Sequence, residues 1–193
     1  MPSRSDDPLA RALEEAVVRV AAAVRAVQAS NPVVLIDGRS GAGKSTLARL
    51  LAERWPLRAA PQLIALDEIY PGWDGMDDGV ERAYDQILRP HGRDLVGTWQ
   101  RYDWVAGKYA ENHAVDPSRG VILEGCGVLT PRGARIADVR VWMESPEPSR
   151  KRRALDRDGE LFRPHWDRWA AQEVRHLRRD KPIELATLIV TVP

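Results

Sequence analysis

Val33-Val34-Leu35-Ile36-Asp37-Gly38-Arg39-Ser40-Gly41-Ala42-Gly43-Lys44-Ser45-Thr46 decides the fold. Val33 to Ile36 is short, wholly apolar and mostly β-branched, which suits a strand buried on both faces of a parallel sheet. Gly38 to Ser45 then fits G-x-x-x-x-G-K-[ST] at every fixed position. Thr46 to Trp55 reads as a helix, with Leu47, Leu50 and Leu51 on one side and Pro56 as its stop. Strand, glycine-rich loop and helix in that order make a phosphate-binding loop. Its backbone N–H groups, from Gly38, Ser40, Gly41, Ala42 and Gly43 onward, converge on phosphate oxygens, and the helix adds its positive N-terminus. Lys44 supplies a point charge for the β- and γ-phosphates. The Ser45 hydroxyl is a ligand for Mg²⁺, and Thr46 backs the turn. The expected ligand is a nucleoside triphosphate, ATP, with Mg²⁺.

Outward from the loop, apolar residues at three- and four-residue steps predict a helix over 8–29, closed by Asn31-Pro32. Further strands are expected at Leu63–Leu66, Val121–Leu123, Val139–Met143 and Thr187–Val192. Helices are expected at Val80–Leu88, ended by Pro90, at 147–157, broken by Asp158-Gly159, and at 165–179. Strands alternating with helices predict an α/β fold: a P-loop NTPase-type parallel sheet with helices on both faces. One domain over 1–193 is expected, with a small arginine-rich lid at about 146–170.

Bulk composition narrows the function classes. A chain of 193 residues with 44% hydrophobic and 30% charged residues is that of a soluble globular protein. Its net charge of +1 gives no electrostatic reason for a nucleic-acid or membrane partner. The first apolar stretch is interrupted by Arg11, Glu14, Glu15, Arg19 and Arg25, so it does not read as a signal peptide. The single cysteine, Cys126, suits a reducing compartment and reads as inert core. The expectation is a cytoplasmic protein whose partner is a small-molecule acceptor. A homo-oligomer stays open.

Carboxylates stand where strands should end. Asp67 and Glu68 close the second strand, and Glu124 closes Val121-Ile122-Leu123. Ligands of open parallel sheets bind outside those carboxyl ends. Phosphoryl transfer needs one carboxylate to take the acceptor's proton and another for the metal. Asp67 is the expected base, Glu68 being able to exchange roles with it, and Glu124 the expected metal-shell acid. Arg150, Arg153 and Arg157, at i, i+3 and i+7, share a helix face that could neutralise the transferring phosphate. Between the second strand and Val121 lie Trp73, Trp99, Tyr102 and Trp104, with Asp74, Asp77, Asp78 and Asp103 among them. Aromatic faces and carboxylates of this kind suit a planar acceptor with sugar hydroxyls, or equally a packed core with acidic turns.

From about Val33 to Arg157 the chain resembles the uridine kinase-like branch of P-loop kinases. Gly38 to Thr46 matches that family's GxSGxGKST in full, and Leu66-Asp67-Glu68-Ile69-Tyr70 is similar to its strand-end Asp followed by an aromatic. Arg101-Tyr102-Asp103-Trp104 looks like its Tyr-Asp-Phe element, Leu123-Glu124-Gly125 like its strand ending in Glu-Gly, and Ser149 to Arg153 with Arg157-Asp158 like its lid helix. The resemblance implies kinase activity with Asp67 as the base rather than Glu68. It also implies Tyr70, Tyr102 and Trp104 about a nucleoside-like acceptor and Asp74 at its ribose hydroxyls. Where the family carries a pyrimidine-reading His, this chain has Gly107 and Lys108. Residues 8–29 and Pro164 to Gln172 lie outside the match. The alternative is a P-loop ATPase or regulatory ATP-binding module with a degenerate acceptor pocket.

Overall fold

The computed structural model of the chain describes residues 7–193. The domain expected over 1–193 therefore includes residues 1–6, which lie outside the described residues. The chain order is α1 (Pro8–Ala26), β1 (Val33–Gly38), α2 (Lys44–Glu53), β2 (Gln62–Ala65), α3 (Met76–Ala83), α4 (Arg89–His91), β3 (Gly97–Asp103), β4 (Lys108–Val115), β5 (Val121–Glu124), α5 (Pro131–Ala134), β6 (Val139–Glu144), α6 (Glu147–Phe162), α7 (Trp166–Asp180), α8 (Pro182–Leu185) and β7 (Leu188–Thr191).

Five strands form one parallel sheet in the order β2-β5-β1-β6-β7. All six residues of β1 and all four of β5 are buried: the apolar runs Val33–Ile36 and Val121–Leu123, as predicted, and the acids Asp37 and Glu124 beyond them. Alternation divides them between two cores. Val33, Leu35, Val121 and Leu123 face a core shared with Met76, Ile87 and the aromatic residues of α6 and α7. Val34, Ile36 and Ile122 face one shared with α1 and α2. The N-terminal helix is part of that second core, because Leu13, Val17, Val20 and Val24 recur on one face and all lie at most 4% exposed. Burying each such side chain is worth roughly 1.5–3 kcal/mol.

Three features depart from the sequence expectation. Gly97 to Val115 forms an antiparallel hairpin of two strands, β3 and β4, ahead of the strand expected third. Its faces are mostly half-exposed, so no apolar run announces it. The helix expected at Val80–Leu88 begins at Met76 and widens into a π turn over Tyr84–Leu88, which carries the chain past Pro90 into α4. The break at Asp158-Gly159 is a kink inside α6: Gly159 adopts φ 54°, ψ −132°, and helical residues continue to Phe162. Among the described residues no helix is long and apolar enough to cross a membrane.

Candidate active site

The phosphate loop leaves the carboxyl end of β1, where the two neighbouring strands lie on opposite sides and the crossovers diverge. Gly41 sits at φ 78°, and a Cβ there would come 2.1 Å from the carbonyl oxygen of Arg150. Only glycine fits so close to the first turns of α6. Gly43, left-handed at φ 96°, turns the chain into α2 and leaves that helix's first N–H groups without a side-chain cap. Free N–H groups at a helix start suit an anion.

Lys44 is 8% exposed and donates to the Arg39 carbonyl at 3.3 Å and to Cys126 Sγ at 3.2 Å. Burial works against its charge. Cys126 and then Glu124, Asp67 and Glu173 oppose that, and together they hold the ammonium above its ordinary range. Burial pushes the Cys126 thiol itself up to about 12, so near neutral pH it is uncharged and the carboxylates are the lasting counter-charges. Cys126 is thus core, as expected, but core that forms the floor of the site.

Glu124 is 4% exposed at the end of β5. Burial raises it above the usual carboxylate range and Asp67 adds to this, whereas Lys44 and a hydrogen bond from Ser45 pull it down. The buried Glu124 carboxyl and the Ser45 hydroxyl line one cavity and are hard oxygen donors, and a divalent cation there would stabilise the carboxylate charge. Among the described residues no cluster of three or more His, Cys, Asp or Glu forms a metal cage. Two protein donors, with water and phosphate completing the shell, is the pattern Mg²⁺ takes. The donor set therefore fits that ion.

Asp67 lies in a 3₁₀ turn, Leu66–Glu68, directly after β2. It lines the same cavity of about 370 Å³ as Ser40, Lys44, Ser45 and Glu124, and its neighbour Glu68 does not. The Trp104 indole N–H donates to the Asp67 carbonyl at 2.8 Å, and the Tyr109 hydroxyl donates to the Ile69 carbonyl at 3.1 Å. The β3–β4 hairpin thereby pins the turn that carries the acid.

The cavity continues from these acids onto an aromatic wall. Trp73, Trp104, Phe162 and Trp169 line it. Trp73 stacks on Phe162 at 5.3 Å and on His165 at 4.4 Å. Tyr70 lines it too, but its hydroxyl is committed to the Cys126 carbonyl at 2.7 Å and its ring meets Trp169 edge-on. Trp73 and Trp169 come from the Pro71–Gly75 turn and from the segment outside the family match.

Several sequence-selected residues sit elsewhere. Asp74 is on the surface, paired with Arg168. Tyr102 is behind Trp104, ring edge to ring face at 5.7 Å, and does not line the cavity. Gly38 closes β1 and Ala42 is buried in the turn, its N–H bonded to the Arg39 carbonyl at 3.1 Å; neither lines the cavity, whereas Thr46 does. The three arginines separate. Arg157 lines the cavity, its guanidinium paired with Asp158 at 2.7 Å, with Asp67 and Glu124 within its field. Arg150 and Arg153 instead bond to the Ser40 and Gly41 carbonyls at 3.1 and 2.8 Å. They are corrected from cavity-facing cations to loop supports, because α6 starts in contact with the loop rather than above it.

Residues the sequence reading passed over gather behind the loop. Asp37, 1% exposed, accepts from the N–H groups of Gly38, Gly127 and Leu129 at 2.6–2.9 Å and faces His176 Nε2 at 3.0 Å. His176 Nδ1 lies 2.9 Å from Asp180. With a carboxylate at each nitrogen, both nitrogens donate, which requires an imidazolium. Burial opposes that charge, but the bonds and charges of Asp37 and then Asp180 outweigh it, so the ring titrates above 6.5. The folded value exceeds the unfolded one, so this stabilisation is complete below about pH 6.5 and is lost as pH rises through the folded value. The thermal midpoint should fall over that rise, and His176→Gln should flatten the fall; an unchanged slope in His176→Gln assigns the dependence to other groups. The signal for this cluster was present: Trp166, Trp169, Glu173 and His176 step by three, four and three, so polar residues occupy the buried stripe of α7.

A five-stranded parallel sheet, a phosphate loop joining its central strand to a helix, and a cover helix over the strand ends define a P-loop NTPase-type α/β domain. Solved structures share it. A possible uridine kinase from Bacillus stearothermophilus superposes with a TM-score of 0.67 over 92% of this chain and 98% of that chain, at 20% identity. A candidate fructose transport system kinase from Silicibacter sp. TM1040 gives 0.51 over the same shares, at 19% identity. No family model matches the chain, and no curated protein matches it by sequence. At these identities the likeness is one of fold, the fold that the sequence resemblance implied.

Proposed function

We propose that the protein is a kinase that transfers the γ-phosphoryl group of Mg·ATP to a hydroxyl of a small, nucleoside-like molecule. One observation carries this reading: Lys44 and Ser45 of the phosphate loop face Asp67 and Glu124 across a single cavity, which then continues onto an aromatic wall. An ATPase needs the first half of that cavity and has no use for the second.

In this reading the loop N–H groups and Lys44 hold the β- and γ-phosphates, and Ser45 and Glu124 hold the metal. A bound Mg²⁺ would supply charge neutralisation at the phosphates. The acceptor's ring lies against the Trp73–Trp104 wall, with its hydroxyl at Asp67. Asp67 takes the hydroxyl proton as the acceptor oxygen bonds to the γ-phosphorus and the bond to the ADP oxygen breaks. Arg157 exchanges Asp158 for the transferring group and offsets its charge.

The charges that line the cavity favour a neutral or cationic acceptor. Asp67, Glu124 and Asp158 are acids, and the two cations, Lys44 and Arg157, are assigned to phosphate. An anionic acceptor would meet carboxylates without a counter-charge. The test is a screen of nucleosides, vitamins and sugars by coupled ADP release. Release should be slow with ATP alone and strongly stimulated by one uncharged or cationic hydroxyl compound. Release that no acceptor stimulates, together with nucleotide-dependent binding of another protein, would assign the chain to the regulatory class instead.

A further inference from the structure

We infer that Glu173 of α7 is a positioning residue for the phosphate-loop lysine, acting through a single peptide group; this rests on the reading of the loop as a triphosphate site. Glu173 is 3% exposed, and each of its oxygens is used on the loop. Oε1 accepts from the Ser40 N–H at 2.6 Å, and Oε2 accepts from Arg39 Nε at 2.9 Å. The Cys126 thiol donates to Oε1 at 3.6 Å.

A trans peptide is planar, with its N–H and C=O pointing in opposite directions. Holding the Ser40 N–H toward α7 therefore aims the Arg39 carbonyl of the same unit the other way. That carbonyl accepts from Lys44 Nζ at 3.3 Å and from the Ala42 N–H at 3.1 Å. One peptide thus links Glu173 to the ammonium that faces the cavity. The next peptide is held in the same manner from the opposite helix. Arg150, 2% exposed, donates to the Ser40 carbonyl at 3.1 Å and to the Ser145 carbonyl at 3.0 Å. The Gly41 N–H of that unit is turned away from Arg150, and Gly41 lines the cavity.

A carboxylate this deeply buried is unfavourable unless charged and polar partners surround it. An apolar side chain would fill the same space without that demand. Here every partner of Glu173 belongs to the loop or to the residue beneath its lysine. The arrangement is what orienting the loop requires, and more than joining α7 to the sheet requires.

The test is nucleotide binding by calorimetry, read apart from turnover, with AMP, ADP and ATP as ligands. Glu173→Leu removes both acceptors and keeps an apolar packing group. It should weaken ATP about 10- to 100-fold, the loss expected for charge-assisted bonds, and leave AMP within about twofold, because the loop grips the outer phosphates. Glu173→Gln still offers an oxygen to the Ser40 N–H and should fall between, at roughly 3- to 10-fold. If Glu173→Leu does not fold, Glu173→Gln decides alone by the same selective loss. Equal weakening of AMP and ATP, or wild-type affinity for ATP in the variant that folds, overturns the inference while leaving the kinase reading standing. A wild-type chain that binds no ATP overturns both.

Discussion

Asp67→Asn should lower turnover by about 10²-fold or more, the usual scale for loss of a general base, while ATP binds as tightly as before. The amide has the shape of the carboxylate but cannot take the acceptor's proton. Its placement should survive, because the structure holds residue 67 by its backbone carbonyl, which Trp104 grips, and by the turn that follows β2. Steady-state ADP release with the best acceptor, beside a separate ATP titration, checks both halves. Full activity in the variant would remove Asp67 from the base role, and Glu124, buried in the same cavity, would then be the acid to examine.

Lys44→Ala should act on the other side of the reaction and reduce kcat/KM by about 10²–10³-fold, the cost of deleting a charge aimed at the transferring group. Here ATP affinity should fall together with turnover. Lys44 is the cation set against Glu124 and Asp67 in the cavity, so its loss also leaves these two acids without it where phosphate must enter. The contrast between the two variants separates phosphate binding from proton removal. A Lys44→Ala protein with undiminished activity would mean that phosphate is held elsewhere.

The parts of the fold that obey a local rule were legible in the chain. The runs Val33–Ile36 in β1 and Val121–Leu123 in β5 are apolar without interruption because both of their faces are covered, and the phosphate loop needs its glycines within one turn of backbone. The hairpin was not legible, because Gly97 to Val115 covers the site with half-exposed strands whose pairing depends on what lies beneath. Spacing placed Arg150, Arg153 and Arg157 on one helix face. It could not show that α6 starts against the loop, so that the first two meet carbonyl oxygens and only the third reaches the cavity. Asp74 and Tyr102 share that limitation: motif position set their expected roles, and the turn at Pro71–Gly75 gives the wall position to Trp73.

The excursion from α6 to α7 leaves the loop at Arg150 and returns to it at Glu173, and both residues hold Ser40. Mechanically it is a bridge with its two piers on one stone. Neither span can lift without disturbing the footing of the other, so cover and loop should loosen together as one cooperative unit. What independent travel the bridge has is concentrated at Gly159, the left-handed joint near its crown, where a side chain would touch nothing within 4 Å.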